Sequence, residues 1–316
     1  MARKIVSTLT ISTEEWLEYR KLGIGGSDAA TVLGLNQFSS KFTLYADKLG
    51  KIPPIEDNEQ MRQGRDLEEY VSERWTEKTG KKCRRTNFMW KHDTYDWMLA
   101  DIDRDVVGEN AGLECKTTSV YNKSDFNGGE VPLYYYVQCM HYMAVMGYDR
   151  MYLAVLVLNK GFYDFVIERD EKEIENLAEA ERKFWDENVQ VRVPPSPDGS
   201  DSSQSTINTL YGAESAREGQ ILLMEYNDTI SEFIRLQGQI KALEKDADAL
   251  KQTIQLAMGD NTSGVSEKYS VTWKPQISHK VDISQLKEFY PTVYSICLKE
   301  GSARVFRPSE RKEKKK

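Results

Sequence analysis

Residues 99–118 read LADIDRDVVGENAGLECKTT, which is two runs of alternating polar and apolar side chains joined by a turn that contains glycine. Successive side chains of a β-strand point to opposite faces. In the second run, Glu114 and Lys116 therefore share one face, while Leu113 and Cys115 share the other and are expected in the core. The stretch predicts a hairpin with one charged face.

The first run of the hairpin carries two more carboxylates, Asp101 and Asp103, which also share one face. In the register that keeps the apolar residues inside, Asp103 and Glu114 converge, and a slip by one residue would reverse every side chain. Two carboxylates beside Lys116 suit phosphodiester hydrolysis, because oxygen ligands hold Mg²⁺ and a lysine can position water and hold developing charge. A hairpin whose exposed charges only form cross-strand ion pairs is the alternative.

A predicted helix at 59–79 adds another carboxylate. Its residues at helical spacing form a stripe that should face the core: Met61, Gly64, Glu68, Val71 and Trp75. A carboxylate rarely lies in a core without a partner, and Gly64 lets another group approach one turn away. A metal ion opposite Glu68 explains both features, and an ion pair with Arg65 or another cation is the alternative.

Two further segments suit phosphate binding. Residues 23–28 read GIGGSD, a glycine-rich turn that opens a helix, and Arg20 lies upstream of Ser27. Free backbone N–H groups at the start of a helix bind phosphate, although a plain turn between helices is the alternative. Pro132 opens a later helix in which Gln138 can hydrogen-bond a phosphate or the attacking water. The tyrosines before Gln138 suit core packing better than base stacking.

Taken in order, these motifs resemble the lambda-exonuclease/YqaJ-type viral recombinases of the PD-(D/E)XK nuclease superfamily. The residues that carry the resemblance are Arg20 with GGSD, Gly64 with Glu68, Asp103, Glu114 with Lys116, and Tyr135 with Gln138. The resemblance covers about residues 14–190 and implies an α/β fold with a mixed sheet, the restriction-endonuclease-like core. Ile102 departs from the family motif, which usually has proline there.

The resemblance implies a metal site with two Mg²⁺ ions, for which Mn²⁺ is a substitute. By position, Asp103 would bridge the two ions and Glu114 would ligate one of them. The backbone carbonyl of Cys115 would complete the shell of that ion, and Glu68 would serve the site from its helix.

The resemblance also implies roles for four residues around the substrate. Lys116 would act on the nucleophilic water, and Gln138 would orient groups around the scissile phosphate. Arg20 and Ser27 would hold the 5′ phosphate of the DNA.

The function implied by the resemblance is a Mg²⁺-dependent 5′→3′ double-strand DNA exonuclease of phage or prophage recombination. It would act on duplex ends and leave 3′ overhangs for a single-strand annealing protein. A homo-oligomer is implied as well, because the ring-shaped members are trimers. Two alternatives remain open: an endonuclease on the same fold, and a non-catalytic module that binds DNA or a host factor. The net charge of −7 counts mildly against a DNA partner.

The chain divides at residues 192–206, RVPPSPDGSDSSQST, whose composition predicts a linker or exposed loop. The exonuclease domain is therefore expected at 1–191 and a C-terminal extension at 207–316. In the extension, apolar residues from Ile240 to Ala257 recur at steps of three and four, which predicts a coiled-coil seam. A small β element, a short helix and a disordered charged tail, ERKEKKK, are expected to follow it.

The remaining segments of the first part are predicted from periodicity and capping signals. Helices are expected at 12–23, 28–33, 41–49, 132–146 and 171–188, and strands at 84–90, 97–107, 113–118, 151–158 and 162–167, the first three strands as a meander.

The composition indicates a soluble cytoplasmic protein, and the resemblance implies a bacterial or phage-infected cell. No apolar run approaches the roughly 18 residues of a membrane span, and no apolar signal segment follows Met1. Four scattered cysteines are expected to be buried free thiols, and three distant histidines argue against a zinc site.

Overall fold

The computed structural model describes residues 2–119 and 130–311. The chain forms two compact units, Met1–Tyr211 and Gly212–Lys316. The elements of the first unit are, in chain order, β1 (Arg3–Ser7), α1 (Thr13–Arg20), α2 (Gly26–Val32), α3 (Lys41–Lys48), α4 (Glu59–Thr79), β2 (Cys83–Arg85), β3 (Phe88–Lys91), β4 (Leu99–Asp101), β5 (Arg104–Val106), β6 (Ala111–Thr118), α5 (Leu133–Met146), β7 (Arg150–Val157), β8 (Gly161–Glu168), α6 (Glu171–Phe184) and α7 (Asp201–Leu210).

The six helices predicted in the first part are confirmed, within a few residues at their ends. Helix α1 begins with a capping box, because Ser12 Oγ accepts from the backbone N–H of Glu15 and the Glu15 carboxylate accepts from that of Ser12. Helices α4 and α5 end at Gly80 and Gly147, which adopt left-handed φ values of 72° and 71°.

The main sheet has five strands in the order β2-β5-β6-β7-β8, and the other described sheets are β1-β3-β4 and a two-stranded sheet in the second unit. Strands β6 and β7 are parallel, whereas the other neighbours in the main sheet are antiparallel. Leu113 and Cys115 pack with Trp75 of α4 on one face, and Leu153 of β7 packs with Met140 of α5 on the other. The predicted mixed α/β class is confirmed.

The predicted three-stranded meander is wrong in its connectivity. The segments 84–90 and 97–107 each split into two strands, and the halves belong to different sheets. Asn87 takes a left-handed φ of 53° at the first break, and Ile102 with Asp103 forms the second. These breaks are not visible in a simple alternation of polar and apolar residues.

The apolar stripe of α4 is confirmed only in its second half. Val71 and Trp75 are buried, but Met61 is 43% exposed, and the buried residues of α4 all lie in its second half. No described atom other than immediate neighbours would lie within 4 Å of a Cβ at Gly64. The close approach expected at this glycine is therefore not made by the described part of the chain.

The predicted linker at 192–206 is wrong in its second half, because residues from Asp201 onward form α7. Thr43 of α3 bonds to the hydroxyls of Ser202 and Thr206, at 2.7 and 2.8 Å, and Ser203 donates to Ser40 at 2.9 Å. A run of serine and threonine reads as a loop when solvated, but here those hydroxyls join two helices. The first unit therefore ends at Tyr211, not near residue 191.

The cysteines are all free thiols, but the expected burial holds for only two of them. Cys115 and Cys139 are buried, Cys83 is half-buried and Cys297 is exposed. Burial raises the pKa of the Cys115 and Cys139 thiols, so both stay protonated at neutral pH.

The second unit, taken by itself, contains the long helix predicted from the heptad spacing, the small β element and two short helices. Its elements are α8 (Asn227–Met258), β9 (Ser263–Val265), β10 (Ser270–Thr272), α9 (Ile283–Phe289) and α10 (Pro291–Cys297). Most of the predicted disordered tail, residues 312–316, lies outside the described residues. Across the described ranges, no helix combines the length and apolarity that crossing a bilayer would require.

The position of α7 predicts where the first unit can be cut. A chain truncated after Tyr211 should unfold at the same denaturant concentration as the first unit of the full chain. A chain truncated after Pro195 should lose about 3 kcal/mol, since several partly buried hydrogen bonds of roughly 1 kcal/mol each disappear with α7. Urea unfolding of both truncated chains measures this, and equal midpoints would contradict the boundary.

Candidate active site

A cleft of about 390 Å³ opens beside the hairpin of β5 and β6. It gathers side chains from α1, α2, α4, α5 and the hairpin, which are far apart in sequence. Seven of the predicted site residues line it: Arg20, Ser27, Glu68, Asp103, Glu114, Lys116 and Gln138. The backbone of Cys115 lies between two of these residues on β6. The structure therefore brings the predicted residues to one place.

The hairpin register places Asp103 against the middle of β6, as the alternation predicted. Arg104 pairs with Leu113, so Asp103 lies opposite Glu114. Asp103 Oδ2 accepts a hydrogen bond of 2.8 Å from the backbone N–H of Cys115. Because Asp103 comes at the break between β4 and β5, its carboxylate can turn toward the backbone of the neighbouring strand.

Glu114 is the most deeply buried carboxylate of the cleft, at 3% exposure. Its Oε1 atom accepts from Gln138 Nε2 at 2.7 Å and lies 2.6 Å from Lys116 Nζ. Gln138 also donates to the hydroxyl of Tyr142, at 3.1 Å, which keeps its amide oriented. Glu114 Oε2 is buried and has no hydrogen-bond partner among the described residues. An unsatisfied buried oxygen of this kind calls for a ligand.

The carboxylates of the cleft repel one another. Desolvation, and then the negative charges of Glu114 and Glu68, raise the pKa of Asp103 well above its ordinary value. Desolvation also raises the pKa of Glu114, although the Lys116 ammonium opposes this shift. Burial alone would lower the pKa of Lys116, but Glu114 and Asp103 outweigh it and the pKa rises. Lys116 therefore stays charged, but its single positive charge does not balance the negative charges of the surrounding carboxylates.

Glu68 forms an ion pair with Arg104, whose side chain is 3% exposed. The second amino group of Arg104 bonds Glu69 at 3.1 Å, and Glu69 also pairs with Arg85. The cation beside Glu68 is thus Arg104, whereas Arg65 pairs with Asp57 at 2.5 Å.

The turn between α1 and α2 holds a buried charge cluster centred on Asp28. Arg20 donates to Ser27 Oγ at 2.9 Å and to Asp28 at 3.1 Å, and Lys48 Nζ lies 2.6 Å from the other Asp28 oxygen. Lys48 also donates to the Arg20 carbonyl, so the last turn of α1 is capped by a residue other than Arg20. The cluster holds the Arg20 guanidinium beside the exposed Ser27 hydroxyl.

Several residues of the cleft were not predicted as site residues. Trp16 Nε1 donates to Asp101 at 2.8 Å, and the Arg20 guanidinium lies 5.0 Å from the Trp16 ring. Arg104 and Arg85 supply the cations beside Glu68 and Glu69. The sequence did point to Asp101, because the alternation placed it on the same face as Asp103. No signal in the sequence pointed to Arg104, because its partners Glu68 and Glu69 lie on a helix that is distant in the chain.

The donor set fits a divalent cation that retains part of its water shell. In the described ranges, no group of three or more His, Cys, Asp or Glu side chains forms a ready-made metal cage. Mg²⁺ rarely uses such a cage, because it keeps several waters and borrows phosphate oxygens from its substrate. A cation between Asp103 and Glu114 would relieve the repulsion between them. It would also give the buried Glu114 Oε2 atom a partner.

The Asp28 cluster predicts a pH-dependent stability. Despite desolvation, Lys48 and Arg20 lower the pKa of Asp28 to about 2, from 3.8. Its contribution to folding is therefore complete above pH 3.8 and is lost as the pH falls toward 2. Asp28→Asn should cost about 3 kcal/mol near pH 7, because it leaves the buried Lys48 without its anion.

Urea unfolding of the wild type and Asp28→Asn at several pH values measures this difference, which should shrink on acidification. The exposed Asp57→Asn is the control and should unfold like the wild type. A difference that is constant between neutral and acidic pH would rule out the ion-pair explanation.

The chain is similar to a known family in both sequence and fold. The profile of the YqaJ-like viral recombinase domain matches residues 15–149, a range that contains every predicted site residue. The uncharacterized protein YqaJ of Bacillus subtilis (strain 168) is 35% identical over 308 residues, covering 96% of this chain and 97% of the relative.

Among solved structures, an alkaline exonuclease (LHK-Exo) from Laribacter hongkongensis superposes on the chain with a TM-score of 0.49 and 20% identity. LHK-Exo in complex with dAMP superposes with a TM-score of 0.50 and 21% identity, covering 57% of this chain and 94% of LHK-Exo. The second likeness supports a shared PD-(D/E)XK-like fold. Because a relative of nearly equal length is 35% identical along almost its whole extent, the chain belongs to the YqaJ-like viral recombinase family.

Proposed function

We propose that the protein is a metal-dependent deoxyribonuclease, an exonuclease that resects duplex DNA from 5′ ends during phage or prophage recombination. The 3′ overhang would pass to a single-strand annealing protein. In this role the protein would act in the cytoplasm of a bacterial or phage-infected cell, as a homo-oligomer. Family membership supports a role in recombination, and the likeness in fold to an exonuclease supports the reaction.

The observation that carries the proposal is the pairing of Asp103 and Glu114 beside Lys116. Two carboxylates that repel each other in a buried cleft are costly unless a cation joins them. The remaining oxygen of Glu114 has no partner in the described residues, and its other oxygen is held by Gln138 and Lys116. The cleft is thus arranged to receive positive charge and, with it, a phosphate.

Asp103, Glu114 and the carbonyl of Cys115 would hold Mg²⁺, with Glu68 serving through the side of the cleft. When bound, the metal supplies polarisation of the phosphate and a bound water of lowered pKa. Glu68 is shared with Arg104, whose buried guanidinium keeps the carboxylate directed at the cleft. Mn²⁺ would substitute, because it accepts the same oxygen ligands.

Lys116 would hold the charge that develops on the phosphate and orient the attacking water. Glu114 and Asp103 outweigh desolvation and raise the pKa of Lys116, so its ammonium would serve as a hydrogen-bond donor. Gln138 is tied to both Glu114 and Tyr142, and would keep the Glu114 carboxylate in one orientation.

Arg20 and Ser27 would bind the terminal 5′ phosphate. The Arg20 guanidinium presents a planar fork suited to phosphate oxygens, and it already contacts the Ser27 hydroxyl. A terminal phosphate carries more charge than an internal diester, so this cluster would distinguish an end from the middle of a strand.

The first experiment follows linear duplexes with 5′-phosphate or 5′-hydroxyl ends, and a closed circular duplex, each with and without Mg²⁺. Release of nucleotides from linear DNA, with the circle intact, is expected. Cutting of the circle would support an endonuclease. Binding of linear duplex without cutting in the presence of Mg²⁺ would support a non-catalytic module and overturn the proposal.

The metal site predicts a separation of binding from chemistry. Asp103→Asn and Glu114→Gln should abolish both Mn²⁺ binding, measured by calorimetry, and cutting. Lys116→Gln should retain Mn²⁺ binding but lose roughly 10²–10⁴-fold in cutting rate at saturating Mg²⁺, because the lysine acts on the water and phosphate.

Asp57→Asn, an exposed acid outside the cleft, is the control and should change neither quantity. Normal Mn²⁺ binding by Asp103→Asn would exclude Asp103 as a ligand. Recovery of the cutting rate of Lys116→Gln at high Mg²⁺ concentration would show that Lys116 only tunes metal affinity.

The 5′-phosphate pocket predicts a substrate-dependent defect. Arg20→Ala should slow digestion of 5′-phosphorylated duplex much more than digestion of 5′-hydroxyl duplex. Arg182→Ala on α6 removes the same charge outside the cleft and should affect both substrates alike. Because Arg20 also contacts Asp28, melting temperatures are measured in parallel. Equal slowing on both ends with a lower melting temperature would assign Arg20 a structural role only.

A further inference from the structure

The cleft contains a second group of hydrogen-bond donors that the proposed function leaves without a role. Thr8 follows β1, Arg85 is the last residue of β2, and Asn87 lies in the turn before β3. All three line the same cleft as Asp103 and Glu68. The backbone N–H of Thr8 donates to the Asn87 carbonyl at 3.0 Å, which joins the two segments. Thr8, Arg85 and Asn87 are called the Arg85 group below.

The Arg85 group has donors that the protein itself does not use. Arg85 is 52% exposed and bonds a single oxygen of Glu69, through Nε at 3.1 Å and Nη2 at 2.7 Å. Its Nη1 atom has no partner among the described residues. The Thr8 hydroxyl and the Asn87 side-chain amide likewise form no hydrogen bond with any residue that the structure describes. A guanidinium, a hydroxyl and an amide are therefore available to a ligand in the cleft.

We propose that the Arg85 group binds an internal phosphodiester of the DNA. The inference rests on the proposed nuclease function and adds a substrate contact to it. Phosphate oxygens only accept hydrogen bonds, and donors of these three kinds commonly contact them, which positions DNA without reading its sequence. Because Arg20 and Ser27 are assigned to the terminal phosphate, the Arg85 group would meet a phosphate further along the duplex.

Glu69 competes with this phosphate for Arg85. The Glu69 carboxylate is 56% exposed, and an ion pair so open to water contributes little to stability. Its Oε2 atom also accepts from Arg104 Nη2 at 3.1 Å, so Glu69 keeps a cationic partner when Arg85 turns to the DNA. Arg85 can therefore exchange Glu69 for a phosphate without leaving a carboxylate unpaired.

The preceding residue of β2 provides a matched control. Successive side chains of a strand point to opposite faces. Arg84 is 75% exposed, its Nε atom lies 3.4 Å from Asp105, and it lines a separate depression beside the turn between β5 and β6. Removing the charge of Arg84 therefore changes the net charge by the same amount as at Arg85, but outside the cleft.

Fluorescence anisotropy of short duplexes tests the proposal, with Ca²⁺ in place of Mg²⁺ and electrophoresis to verify that the DNA is intact. Arg85→Gln should weaken binding by about tenfold, and should reduce the slope of log affinity against log salt by about 0.9, as expected for one lost phosphate contact. The loss should be equal on 5′-phosphate and 5′-hydroxyl ends and on unrelated sequences. Arg84→Gln should leave the slope unchanged.

Three further variants test the partners of Arg85. Glu69→Gln should tighten binding several-fold, because it removes the competing anion. Thr8→Val removes a hydroxyl donor and should weaken binding. Asn87→Asp should weaken it more, because it places a carboxylate beside the phosphate, and aspartate tolerates the left-handed φ of 53° at this position. Circular dichroism and melting temperatures verify that each variant is folded.

Four results would overturn the proposal while the wild type still binds DNA. They are an unchanged salt slope in Arg85→Gln, an equal loss in Arg84→Gln, a loss that depends on base sequence, and a loss confined to 5′-phosphate ends. The third result would indicate contact with a base edge, and the fourth would assign Arg85 to the terminal phosphate. A wild type that binds none of the duplexes would overturn the nuclease proposal together with this one.

Discussion

The structure depends on placing several carboxylates together where water cannot reach them all. Glu114 is buried and Asp103 is drawn toward it by the hairpin register, although desolvation, together with neighbouring carboxylates, raises the pKa of both groups. Lys116 forms an ion pair with Glu114, and Arg104 forms an ion pair with Glu68. Within the described residues no cation forms an ion pair with Asp103. That remaining imbalance of charge is the physical basis for assigning a metal site to the cleft.

The fold holds this arrangement rigidly from both sides of the sheet. Trp75 of α4 and Leu113 of β6 pack on one face, while Gln138 of α5 reaches Glu114 on the other. The parallel partner of β6 is β7, which lies between β6 and β8 and is almost entirely buried. The charged side chains of β6 therefore lie on a strand that is packed against apolar neighbours, and such rigid packing is what a preorganised site requires. Neither helix could move without exposing part of the core.

A chain with a net charge of −7 can still place a cation beside an exposed hydroxyl. Asp28 contacts both Arg20 and Lys48, and the exposed Ser27 hydroxyl lies beside Arg20. Many of the remaining acidic side chains lie elsewhere, for example on the exposed faces of α6 and α8. Overall charge therefore says little about the substrate, because the substrate meets only the local field.

The amino-acid sequence by itself determined the local features of this protein. Alternation assigned faces to Glu114 and Lys116, heptad spacing predicted α8, and capping signals placed helix ends, because each depends on neighbours a few residues away. Tertiary structure alone decided the rest. The break at Asp103 sent β4 and β5 to different sheets, and α7 became a helix because its hydroxyls meet Thr43 of α3. Arg104 became the partner of Glu68 for the same reason: contacts between distant segments are set by packing, which local patterns do not encode.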